Sequence, residues 1–183
     1  MADGTQSKCR AVCLISGSGT NLQAIIQNIN NKSLDKQYEK EFDCLIYFKK
    51  RSPEELAFVT NFLDSKNLSY NVLNYGSYKN SDLEYFSQRS RFGIIIDKTE
   101  TQGFAIQKIM STNLPLIVWD YKINNYEGYD LAGTSVPFWD DTCGIKIDSE
   151  KELEENFDNL SSLLPMSYNE ATGDFEVQNV GNE

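Results

Sequence analysis

Two uninterrupted apolar runs, Phe92–Ile96 (FGIII, ended by Asp97) and Leu114–Trp119 (LPLIVW), most constrain what this chain can fold into. A strand with one wet face alternates polar and apolar side chains, whereas these runs do not alternate. They are what a strand covered on both faces requires, and that coverage is typical of a parallel sheet between helices. Between them Gln102–Ser111 has a helical pattern. Strands that alternate with helices predict an α/β fold, a Rossmann-like parallel sheet with helices on both faces.

The same reading extends to either side. Phe42–Phe48 (FDCLIYF) and Tyr70–Tyr75 (YNVLNY) are predicted strands. Ser52-Pro53-Glu54-Glu55 predicts a helix start, with Ser as cap, Pro at the first position and acids in the first turn. Leu56, Phe58, Val59, Phe62 and Leu63 supply its apolar face. Ser81 and Asp82 open a further short helix through Leu83 and Phe86. Gly144–Ile147 is a short strand and Glu150–Leu164 an acidic amphipathic helix, with the stretch between Trp119 and Gly144 read as irregular. Near the amino terminus, Cys9–Ile15 reads as a buried strand, Ser16–Gly19 as a tight turn and Asn21–Ile29 as a helix. The expected organisation is a frayed segment 1–8, a strand–loop–helix unit with linker 9–41, a main domain 42–164 and a loose polar tail 165–183.

Charge narrows the partners. Among 183 residues there are 27 acidic against 17 basic ones, a formal net charge of -10. Such a field repels nucleic-acid phosphates and anionic membranes, so nucleic acid is not an expected partner. The chain has no histidine. That removes His-based acid–base catalysis, the Ser-His-Asp and Cys-His systems, and the commonest transition-metal ligand. Four scattered cysteines (Cys9, Cys13, Cys44, Cys143) give no paired zinc spacing, and no metal is expected. No secretory leader is legible at the amino terminus and no apolar run approaches the roughly 20 residues of a membrane span, so a cytoplasmic, thiol-reduced protein is expected.

Ligands of open parallel sheets bind beyond the carboxyl ends of the strands. That rule selects three loops: Ser16–Asn21, Lys49–Ser52 and Asp97–Gly103. In the third, Thr99-Glu100-Thr101-Gln102-Gly103 joins a buried strand to a helix and continues to Pro115. Glu100, Gly103, Met110 and Pro115 match the spacing of a motif of retaining GT-B glycosyltransferases, and Gly144–Asp148 with the acidic helix resembles the segment closing the same domain. Over about 42–164 the chain thus resembles the nucleotide-sugar-binding half of that family.

The resemblance implies a nucleotide-activated sugar as donor substrate, with no further cofactor. It implies that Glu100 bonds the sugar hydroxyls and that the backbone around Gly103 lies against sugar and diphosphate, with Thr99, Thr101 and Gln102 in the same loop. Lys49, Lys50 and Arg51 would neutralise the diphosphate, so Glu100, Lys49 and Arg51 are the expected catalytic residues. A second family Glu, which holds the ribose, falls on Lys108 here, a charge reversal. The residues before Phe42 are too few for an acceptor domain, so either a partner or second chain supplies one or the chain is a shortened, inactive relative. Without the resemblance, the alternative for Thr99–Gly103 is a capped strand–helix turn and for Lys49–Arg51 a solvated loop. Pro137–Asp141 (PFWDD) reads as a sugar-stacking cluster or a loop anchored by Trp139.

A second resemblance concerns Leu14–Ile26 (LISGSGTNLQAII), which is similar to the amino-terminal strand–loop–helix of phosphoribosylglycinamide formyltransferase. It implies phosphate binding on the backbone of Gly17, Ser18, Gly19, Thr20 and Asn21. That family's catalysis requires a His, which this chain does not have. Three functions therefore stand open: a glycosyltransferase-like enzyme, a non-catalytic nucleotide-sugar-binding module, and a formyltransferase relative.

Overall fold

A computed structural model of the protein describes residues 38–157, 166–169 and 174–177. Within them β1 (Phe42–Lys49), β2 (Tyr70–Asn74), β3 (Ser90–Asp97), β4 (Leu116–Trp119) and β7 (Gly144–Ile147) form one five-stranded sheet in the order β2-β1-β3-β4-β7. All its pairings are parallel. The helices are α1 (Pro53–Ser65), α2 (Asn80–Arg89), α3 (Phe104–Met110) and α4 (Glu150–Phe157). The expected α/β class, a Rossmann-like parallel sheet with helices, is the observed one.

The apolar runs take both faces because successive strand side chains point oppositely. Cys44, Ile46, Ile94, Ile96, Ile117 and Trp119 pack with Val59 and Leu63 of α1 and Leu153 and Phe157 of α4. Leu45, Tyr47, Ile95, Leu116 and Val118 pack on the other face with Leu83 of α2 and Ile106, Ile109 and Met110 of α3. Each layer thus pairs two helices with one set of alternate strand residues.

α1 starts as its sequence predicts. The Ser52 side chain accepts from the Glu55 N–H, and the Glu55 carboxylate accepts from the Ser52 N–H at 3.0 Å, which closes a capping box around Pro53. Gly144, at φ 142°, passes so close to β4 that an added Cβ would lie 1.9 Å from the Leu116 carbonyl oxygen. Glycine is therefore required where β7 meets β4.

Two expectations need correction. The stretch after Trp119 is not wholly irregular: β5 (Ile123–Tyr126) and β6 (Tyr129–Ala132) form an antiparallel hairpin. Its turn residues Glu127 and Gly128 both have positive φ, 50° and 84°, as a type I′ turn demands. In the expected loose tail, β8 (Met166–Asn169) and β9 (Asp174–Val177) pair as antiparallel strands. Shorter adjustments occur at α3, expected from Gln102. Gly103 instead stands before its first turn in the left-handed region. Cys44 is a free buried thiol as expected, whereas Cys143 is disulfide-bonded, against the reduced state expected of it. The strand–loop–helix expected at 9–29 lies outside the described residues. Among the described residues no helix is long and apolar enough to cross a membrane.

Candidate functional site

The strand order reverses direction at β1 and β3: β1 leads outward to β2, and β3 leads the other way to β4. A crevice at the carboxyl ends of two such strands is where ligands of open α/β sheets bind. The last residues of β1 and β3, Lys49 and Asp97, are direct register partners there. A cavity of about 510 Å³ opens beside them, lined in part by Tyr47, Lys49, Tyr75, Glu100, Gln102 and Gly103. Its size is within the range of small-molecule sites, roughly 300–1,000 Å³.

Lys49 is nearly enclosed, with a side chain 9% exposed. Its ammonium is ion-paired with Glu100, lies 3.9 Å from Asp97 Oδ2 and sits 4.4 Å from the Tyr75 ring centroid. Burial lowers its pKa, which the Asp97 charge partly opposes and Lys50 reinforces. Asp97 is fully buried, and burial raises its carboxyl above the ordinary carboxylate value against the Lys98 N–H and the nearby cations. Tyr47 on the cavity wall is pushed up by burial and by its neighbour Tyr78. The site therefore offers one enclosed ammonium, one carboxylate 14% exposed and an aromatic wall.

Glu100 is placed by a segment distant in sequence. Its N–H donates to the Thr134 carbonyl at 3.0 Å. Thr134 and Ser135 are in turn held by Asp120, which follows β4. Asp120 accepts from the Thr134 hydroxyl at 2.6 Å, the Ser135 N–H at 2.8 Å and the Lys146 ammonium at 3.1 Å. Burial raises the Asp120 carboxyl, yet these hydrogen bonds together hold it below its ordinary value. Sequence reasoning missed Asp120, Thr134 and Ser135. The available signal was an acidic residue terminating a buried strand, as Asp97 does in β3.

The other expected residues fall elsewhere. Arg51 does not face the cavity. Its Nη1 donates to the Trp119 carbonyl at 2.9 Å and the Asp97 carbonyl at 3.1 Å, and its Nε to Glu55 at 2.8 Å. Its guanidinium also stacks 3.7 Å from the Tyr121 ring centroid. Arg51 thus joins the ends of β3 and β4 to α1, and its hydrogen-bonding capacity goes to the protein itself. Lys50, at φ 51°, lines a separate recess of about 260 Å³ with Arg51, Ser52, Glu55, Lys98 and Tyr121. Thr101 lines the main cavity, while Thr99 lines neither. Lys108 lines neither and pairs with Glu84 at 3.6 Å on a surface 40% exposed. The Trp139 indole N–H donates to Asp141 at 3.0 Å, the loop-anchoring alternative. Gly17, Ser18, Gly19, Thr20 and Asn21 lie outside the described residues. Among the described residues no group of three or more Cys, Asp and Glu side chains is arranged to hold a metal ion.

Comparison with protein-family models, with curated proteins and with solved structures finds no match to this chain.

Proposed function

We propose that the domain beginning at Phe42 is the donor-binding half of a glycosyltransferase-like protein that takes a nucleotide-activated sugar. One observation carries this reading: Lys49, Glu100 and left-handed Gly103 line a single cavity at the reversal point of the sheet. In this reading the Lys49 ammonium meets the diphosphate and offsets charge that grows on it as the sugar departs. Glu100 accepts from sugar hydroxyls, and Gly103 allows the ligand close to the backbone. Because Lys49 and Glu100 are now each other's partners, a donor must separate them. Arg51 acts through the frame, since it keeps the carboxyl ends of β3 and β4 together.

A second reading, a module that binds the donor without turnover, is favoured by Lys108. The ribose-holding acid expected at this position is replaced by a cation paired with Glu84 outside the cavity. Isothermal titration with UDP- and GDP-sugars tests binding. Lys49→Met and Glu100→Gln should each weaken the bound donor about tenfold or more. No binding of any donor at millimolar concentration defeats both readings. Binding without release of nucleoside diphosphate, with or without sugar acceptors, selects the second.

A further inference from the structure

Asp97 has an unmet acceptor. Its Oδ1 accepts from the Lys98 N–H at 2.7 Å, but Oδ2 is buried with no hydrogen-bond partner among the described residues. Nearly all buried polar side-chain atoms have a partner, so an exception at the reversal point of the sheet calls for a reason. The unpartnered oxygen is the one that faces Lys49, and the 3.9 Å between them is about one ångström beyond a hydrogen bond. Lys49 is held away from it by its contact with Glu100. One ammonium therefore stands between two carboxylates and bonds only one.

We infer that Asp97 is a positioning residue that receives the Lys49 ammonium when Glu100 turns to a ligand. This rests on the proposed function for Glu100's role, and on the geometry alone for the Lys49–Asp97 coupling. A ligand that claims Glu100 takes the nearer carboxylate from an enclosed ammonium, which needs a counter-charge on the protein until the diphosphate reaches it. The four-carbon lysine stem absorbs a shift of about one ångström, whereas Asp97 is fixed at the end of β3. Held by Asp97, the ammonium stays at the cavity wall beside Tyr75, and Glu100 is free to bind hydroxyls. The other charges acting on Asp97 are those of Lys50 and Arg51, and the Lys98 N–H donates to it.

Two measurements test this. The Lys49 side chain is titrated by NMR without ligand in wild type, Asp97→Asn and the apolar Asp97→Leu, with Lys49→Met to assign the signal. Removing the Asp97 charge should lower the Lys49 midpoint by about one pH unit or more, and an unchanged midpoint in both variants overturns the inference. Binding of UDP-glucose and GDP-mannose is then measured in a double-mutant cycle. Asp97→Asn should weaken the bound donor about tenfold when Lys49 is present and leave affinity unchanged in Lys49→Met. An equal loss in both backgrounds makes Asp97 merely structural and overturns the inference. If wild type binds no donor, the proposed function fails, and the Lys49 titration still decides the coupling.

Discussion

Arg51 and Glu55 form a two-pronged ion pair across one turn at the start of α1, and the rest of the guanidinium spans the carbonyls that end β3 and β4. The Arg51 side chain is only 1% exposed. Arg51→Ala would take the Arg51 donors from two buried carbonyls and leave the partly buried Glu55 carboxylate with only the Ser52 N–H and the Tyr121 hydroxyl. It should cost about 3–5 kcal/mol in urea unfolding. Arg51→Lys should recover only part of this, because a point charge cannot serve both carbonyls and the carboxylate fork.

Asp120 holds Thr134 and Ser135, and through Thr134 the backbone of Glu100. Its folded-state carboxyl lies below the ordinary value of 3.8. A group shifted in that direction contributes stability that is complete above its unfolded pKa and is lost as pH falls through the folded one. Asp120→Asn should therefore destabilise the protein at pH 7 and flatten the loss of stability below about pH 4. Thermal melts from pH 2 to 8 check both.

The opposite sign applies to Asp97, whose carboxyl burial raises. Its ionised form disfavours folding above the folded-state pKa, and that penalty fades as pH falls toward the unfolded value. Asp97→Asn should raise Tm at pH 7 and change it less in acid. A lower Tm at pH 7 would show that the charge is net stabilising.

Gly144 and Gly103 both have positive φ but should differ sharply on mutation. At Gly144 an alanine Cβ meets the Leu116 backbone at 1.9 Å, so the parallel pairing of β7 and β4 must open. Gly144→Ala should cost more than about 3 kcal/mol or prevent folding. At Gly103 the nearest atoms to an added Cβ lie at 3.6 Å, ordinary contact. Gly103→Ala should therefore cost only the left-handed backbone penalty, about 1–2 kcal/mol. Denaturant unfolding separates the two.

Lys108→Glu restores the acid expected at that position from the family resemblance. Lys108 lies outside the cavity, and its pairing with Glu84 is exposed, so stability should change by no more than about 1 kcal/mol. Nucleotide-sugar affinity should not rise. A tenfold gain in titration would show that α3 turns Lys108 toward the ligand.

Much of the fold was legible because its causes are local. Ile94–Ile96 and Leu116–Trp119 carry their two-sided burial in composition, and Ser52-Pro53-Glu54-Glu55 contains its own cap. The β5–β6 hairpin was not legible. Its turn is Glu-Gly rather than the stronger Asn-Gly or Asp-Gly, and Tyr129–Ala132 is exposed at every position, so no burial pattern marks a strand.

For the candidate site, sequence could select loops but not side-chain partners. Lys49, Lys50 and Arg51 are consecutive and chemically alike, yet Lys49 enters the cavity, Lys50 lines the smaller recess and Arg51 is spent on two strand ends. That division depends on strand order, which is set by packing between distant segments. By itself the sequence determined the α/β class, the capped start of α1 and the loops at the ligand end, because periodicity and capping act over a few residues. Only the tertiary structure decided that Lys49 meets Glu100, that Asp97 keeps an unmet oxygen and that Asp120 fixes Glu100 through Thr134. Those relationships arise where β1, β3 and β4 end side by side, from contacts that no local pattern encodes.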